Sequence, residues 1–95
     1  DSVFICNTSD IQTISQKIRT ISPKIIITLG EKAGQSLLNI KTPLEQIQGK
    51  FYDYYGVKVM PTFHPSLLIE KPHYKRQVWE DMKRVMAYLG LKDDS

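Results

Sequence analysis

The residues best able to do chemistry lie close together in the second half of the chain. They are His64, Ser66, the aliphatic run Leu67-Leu68-Ile69, and the basic residues Lys71, Lys75 and Arg76. An imidazole can donate or accept a proton near neutral pH. Hydroxyl, ammonium and guanidinium groups bind phosphate oxygens. Pro61, Pro65 and Pro72 fall within twelve residues, and each removes a backbone donor and fixes φ. The segment is therefore expected to be an irregular surface loop that presents His64. The plainer alternative is a histidine that packs and caps a strand end. Against it stand three aliphatic residues in a segment whose Pro and charged neighbours favour the surface, where such a group usually has a partner. The basic cluster has two readings as well, a solvated helix N-terminus or a phosphate track beside the apolar loop.

The elements that must position these residues can be read from periodicity. Gly56 to Met60 is short and β-rich and should deliver the chain to one edge of a sheet. Val3 to Asn7 reads as a buried strand, followed by Ser9-Asp10-Ile11-Gln12 in capping-box form. Ile11, Ile14, Ile18 and Ile21 then fall on one face of an amphipathic helix that Pro23 ends. Lys24 to Leu29 is a continuous β-branched run of the kind found in central parallel strands. Gly30 turns the chain into a short helix over 31–38, a junction that can aim backbone N–H groups at an anion. A polar connection to Gln48 has room for one helical turn near Pro43. Lys50 to Val59 reads as two short strands around a turn. Its tyrosines could stack on bases or pack within the sheet. The last helix runs from about His73 to Leu89, with Val78, Met82, Val85, Met86 and Leu89 facing the core and Gly90 as its stop. Alternating helices and strands of this kind indicate an α/β class, a three-layer α/β/α sandwich with a mainly parallel central sheet.

Composition narrows the class. The chain has 95 residues, 41% hydrophobic and 24% charged, with a formal charge of +3. That is enough for one small domain of limited core depth, and no apolar run approaches the roughly 20 residues of a membrane span. One cysteine, Cys6, excludes an internal disulfide and any zinc or iron-sulfur site made by this chain alone. A reduced, cytoplasmic setting is expected. The chain begins at Asp1 without a methionine and runs at once into a strand, so further natural sequence upstream is expected and residues 1–95 are read as a single, partial domain.

His64-Pro65-Ser66-Leu67-Leu68, after Pro61-Thr62-Phe63 and before a basic helix with Trp79-Glu80-Asp81, resembles the second signature motif of the uracil-DNA glycosylase superfamily, nearest to its iron-sulfur type, family 4. Ser22-Pro23-Lys24-Ile25-Ile26-Ile27-Thr28-Leu29-Gly30, with Ala33 and Leu37-Leu38, resembles the family's strand-Gly-helix unit, and Gln48-Gly49-Lys50 its short link. The resemblance runs from about Ile11 to Leu89. It implies the carboxyl-terminal half of an enzyme that flips uracil out of DNA and hydrolyses its N-glycosidic bond. It also implies roles: His64 donates to the leaving base, Leu68 wedges into the stack with Leu67 behind it, and Ser66, Lys71, Lys75, Arg76 and Gly30 contact DNA. Val3-Phe4-Ile5-Cys6-Asn7 resembles the strand whose Asn reads uracil, which makes Asn7 a candidate pocket residue; a strand-end Asn opening a turn fits equally.

The chain departs from the pattern in three respects. The family's Gly-rich first motif, with its water-positioning residue and base-stacking aromatic, is not found here. The four cysteines of its [4Fe–4S] cluster are not present either, so no cofactor is expected from this chain. Glu70 stands where relatives often carry a basic residue. Two further readings follow: a non-catalytic DNA-binding module of the same fold, and a nucleotide-binding α/β domain using Gly30, which lacks a Gly-rich fingerprint. The expected partner is uracil-containing DNA, met by a monomer with no membrane association.

Overall fold

The computed structural model describes residues 3–7 and 10–90. In chain order the elements are β1 (Val3–Cys6), α1 (Ile11–Ile21), β2 (Ile25–Leu29), α2 (Glu31–Leu38), α3 (Leu44–Ile47), β3 (Tyr52–Tyr54), β4 (Val57–Thr62), α4 (Pro65–Glu70), a 3-10 turn (Pro72–Tyr74) and α5 (Lys75–Tyr88). The strands form one sheet in the order β1-β2-β4-β3. β1, β2 and β4 are parallel, and β3 returns antiparallel beside β4. The α/β sandwich read from the sequence is the fold observed.

β2 lies between β1 and β4 and is covered on both faces, which is why its sequence is apolar without alternation. Ile25, Ile26 and Ile27 are all buried. On one face Cys6, Ile26 and Val59 pack with Ile14 and Ile18 of α1 and Ala33 and Leu37 of α2. On the other, Ile25, Ile27 and Met60 pack with Val85 and Met82 of α5. Each fully buried aliphatic side chain contributes about 1.5–3 kcal/mol. A third cluster, Leu44, Ile47 and Phe63, lies under the segment after β4.

Some local expectations need correction. Ser9 lies outside the described residues, and the cap of α1 comes from Asp10, whose Oδ1 accepts from the N–H groups of Gln12 and Thr13. Of the four isoleucines on that helix only Ile14 and Ile18 are buried, because Ile11 and Ile21 sit at its ends. Among the described residues β1 is an edge strand, and Ile5 is 60% exposed. It points to the face where α5 packs over β4, and that cluster reaches Val3 but not Ile5.

The proline-rich segment also differs from the irregular loop expected. Pro61 lies inside β4. Pro65 occupies the first turn of α4, where a missing N–H costs no hydrogen bond and φ is already helical. Pro72 opens the 3-10 turn in the same way. The prolines start short helices here and leave little irregular chain.

Candidate active site

β1, β2 and β4 run in register, Cys6 beside Thr28 and Thr28 beside Pro61. Asn7, Gly30 and His64 therefore leave the sheet at the same edge, the carboxyl edge where open α/β sheets bind ligands. Gly30 and His64 are neighbours: a Cβ built on Gly30 would lie 3.6 Å from the Cβ of His64. Gly30 also has φ +93, a conformation that side chains disfavour. Its N–H donates to the carbonyl of Thr62 at 2.9 Å, so that amide ties the two strand ends together. Asn7 is exposed at the end of β1, about 10 Å from β4 across two strand spacings.

His64 is the N-cap of α4. The backbone N–H of Ser66 donates to its Nδ1 at 3.1 Å, and the Ser66 hydroxyl lies 2.9 Å from the same nitrogen. A backbone N–H is always a donor, so the Nδ1 it points to is unprotonated in the neutral ring, and the ring's proton is on Nε2. Among the described residues nothing engages Nε2. The helix cap thus fixes both the orientation of the imidazole and the nitrogen that donates, which sequence could not supply.

Leu67 and Leu68 are both half-buried and Ile69 is 83% exposed; Leu67 packs against the Leu44, Ile47 and Phe63 cluster. Lys71, Lys75 and Arg76 are all exposed, and so is Glu70 among them. The tyrosines of the β3–β4 hairpin stand apart. Tyr55 is 91% exposed at the turn before β4, at the opposite end of that strand from His64. Tyr52 and Tyr54 pack against the core.

A group that sequence reasoning missed lies directly beneath this edge. Asp81 of α5 is fully buried. It accepts from the hydroxyl of Thr62 at 2.8 Å, from Nε2 of Gln48, and from the guanidinium of Arg84 at 3.2 Å. A sequence signal existed: Asp81 stands three residues after Val78 and four before Val85, on the apolar face of its own helix, where an acid must find partners.

A [4Fe–4S] cluster needs four thiolates. Cys6 is the chain's one cysteine and is buried among Ile14, Ile18 and Ile26. Among the described residues no group of three or more His, Cys, Asp or Glu is placed to hold a metal ion. These residues do not fit such a cluster.

The parallel sheet, the Gly30 turn and a histidine-capped helix at the carboxyl edge define a class of α/β proteins that act at that edge. A family model narrows it. Residues 6–83 match the uracil DNA glycosylase superfamily, and the chain belongs to that family. It is 33% identical to the type-4 uracil-DNA glycosylase of Saccharolobus solfataricus over 97% of this chain and 44% of that protein. It is 27% identical to the enzyme of the same name from Archaeoglobus fulgidus over 81% of this chain and 43% of that one. A DNA polymerase of Bacillus phage SP01 is 29% identical over 80% of this chain and 8% of the polymerase. The chain spans less than half the length of the curated relatives it matches. No described helix is long and apolar enough to cross a membrane.

Proposed function

We propose that the chain is the carboxyl-terminal part of a uracil-DNA glycosylase, a cytoplasmic monomer that extrudes uracil from DNA and hydrolyses its N-glycosidic bond in base excision repair. The observation that carries this reading is the Ser66 N–H on Nδ1 of His64, which leaves Nε2–H as a fixed donor at the carboxyl edge. When the bond between C1′ and N1 breaks, its electron pair goes to the base and charge gathers on uracil O2. A donor already aimed at that oxygen lowers the barrier without reorganising. Water then adds to C1′, its hydroxide becoming the sugar hydroxyl and its proton ending on the base. None of the described residues is assigned to orient that water, so the reading requires the remainder of a longer polypeptide.

Leu68 fills the gap left by the extruded base, an apolar wedge offsetting the few kcal/mol of lost stacking and pairing. Leu67 braces it from the core side. Ser66, Lys71, Lys75 and Arg76 hold the flanking phosphates, Gly30 lets the backbone come close to the strand, and Asn7 reads the uracil edge. Residues 1–95 are one part of a single glycosylase domain.

A second reading is favoured by the relative that is named a DNA polymerase and by exposed Glu70 beside the basic residues. It is a module of the same fold that binds DNA without cleaving it. Single-turnover release of uracil from a duplex by the full-length polypeptide separates the two. The glycosylase reading expects release that falls about 100-fold to 1000-fold in His64→Asn. Duplex binding without release in the wild type would leave the binding module.

A further inference from the structure

We propose that Asp81 is a positioning residue that sets where β4 ends and so where His64 stands. The inference rests on the role given to His64 above. Thr62, two residues before His64, donates its hydroxyl to Asp81 at 2.8 Å, while its carbonyl accepts from Gly30 at 2.9 Å. Pro61, one residue earlier, is held through its carbonyl by the N–H of Gly49 at 2.9 Å. Arg84 closes the ring, donating from one nitrogen to Asp81 at 3.2 Å and to the Gly49 carbonyl at 3.1 Å. Gln48 completes the set around the carboxylate.

Two observations mark this as a fitted device. Asp81 is fully buried, and a buried carboxylate persists only where donors replace its water. Gly49 has φ +76, and a Cβ there would lie 2.5 Å from Asp81 Oδ1 and 2.6 Å from the Arg84 nitrogen. The link is thus shaped to let the carboxylate and guanidinium close against its backbone. The last two residues of β4 are gripped from the β2 turn, the link and α5 together, and only Phe63 separates them from His64.

The test uses the full-length polypeptide and two readouts: ring and amide 15N NMR of His64 and Ser66, and single-turnover uracil release. Thr62→Val keeps the β-branched shape of the strand but removes the hydroxyl. It is expected to shift the Ser66 amide, mix the His64 tautomers and lower the release rate about tenfold to 100-fold, with little change in KM. Thr62→Ser, which keeps the hydroxyl, should restore the spectrum and the rate. Arg84→Met, at a side chain 53% exposed whose loss should leave the fold intact, is expected to act in the same direction and serves if Thr62→Val does not fold. If these variants lower the melting temperature while the His64 and Ser66 signals and the rate stay as in wild type, Asp81 is only structural and the proposal fails. If the wild type releases no uracil, the spectra still decide the positioning claim, and only the glycosylase reading falls.

Discussion

The backbone N–H of Ser66 donates to Nδ1 of His64 at 3.1 Å, so one side chain both caps a helix and carries the proposed catalytic donor. The two roles can be separated. Asparagine at 64 can still accept from the Ser66 N–H but lacks the reach of Nε2, whereas alanine loses cap and donor together. His64→Asn should melt close to wild type, and His64→Ala should lose about 1 kcal/mol, or some 2–4 °C for a whole domain of roughly 150–250 residues. Thermal unfolding of the two variants checks it. Equal stability of Asn and Ala would mean that the cap contributes nothing.

Leu67 and Leu68 are adjacent and both half-buried, but of the two it is Leu67 that packs against a core cluster. That cluster is formed by Leu44, Ile47 and Phe63, so Leu67→Ala should destabilise by about 1–3 kcal/mol, below the full cost of a core cavity. Leu68→Ala should leave unfolding nearly unchanged. It should lower duplex binding or uracil release, with less effect on single-stranded substrate, where no stack needs filling. Denaturant titration read beside binding to both substrates gives the comparison.

Much of this architecture was legible in sequence because the relevant patterns are local. The β-branched run 24–29 has the pattern of a strand covered on both sides, Gly30 marks its turn, and the isoleucines at helical spacing mark α1. His64 was legible as a presented side chain, but its cap was not, because the same prolines that break a helix also begin one. By sequence Pro65 reads as a breaker, yet it stands in the first turn of α4. Asp81 stayed hidden for a different reason. Its partners Thr62 and Gln48 lie 19 and 33 residues away in sequence, and only the folded chain brings them to it.

The exposed cations predict a salt dependence. If Lys71, Lys75 and Arg76 each neutralise one phosphate, replacing any one by alanine should reduce the slope of log affinity against log salt by about 0.9. The loss should be similar for uracil-containing and ordinary duplex, since phosphate contacts carry no base information. Glu70→Lys should steepen the slope instead. Fluorescence anisotropy at several salt concentrations measures these slopes, and unchanged slopes would take the basic cluster out of the interface.

Asp10 supplies a pH prediction at the other end of the chain. Hydrogen bonds from the Thr13 side chain, then from the Thr13 backbone and Gln12, hold its carboxyl below the ordinary value of 3.8. A group whose pKa is depressed on folding stabilises fully above its unfolded pKa, and that contribution is lost as pH falls through the folded value. α1 should therefore loosen below about pH 4. Asp10→Asn, which caps without titrating, should remove that part of the acid sensitivity. Amide exchange of α1 between pH 5 and pH 2.5 is the measurement, and identical acid profiles would show that the cap does not titrate with folding.

Gly49 offers the sharpest test of how β4 is held. Its φ of +76 strains any side chain, and the new Cβ would meet Asp81 Oδ1 at 2.5 Å and the Arg84 nitrogen at 2.6 Å. Arg84 is half exposed and could swing away. Asp81 is buried and cannot, so relief must come from the backbone of the link or from α5. Gly49→Ala should therefore cost on the order of 3 kcal/mol, combining positive-φ strain with overpacking. Gly90→Ala makes a useful control, because φ there is +81 but no atom of the described residues lies within 4 Å of a Cβ. Against those residues it feels the strain alone and should cost about 1 kcal/mol. Equal losses for the two in chemical unfolding would mean that the carboxylate does not press on the link.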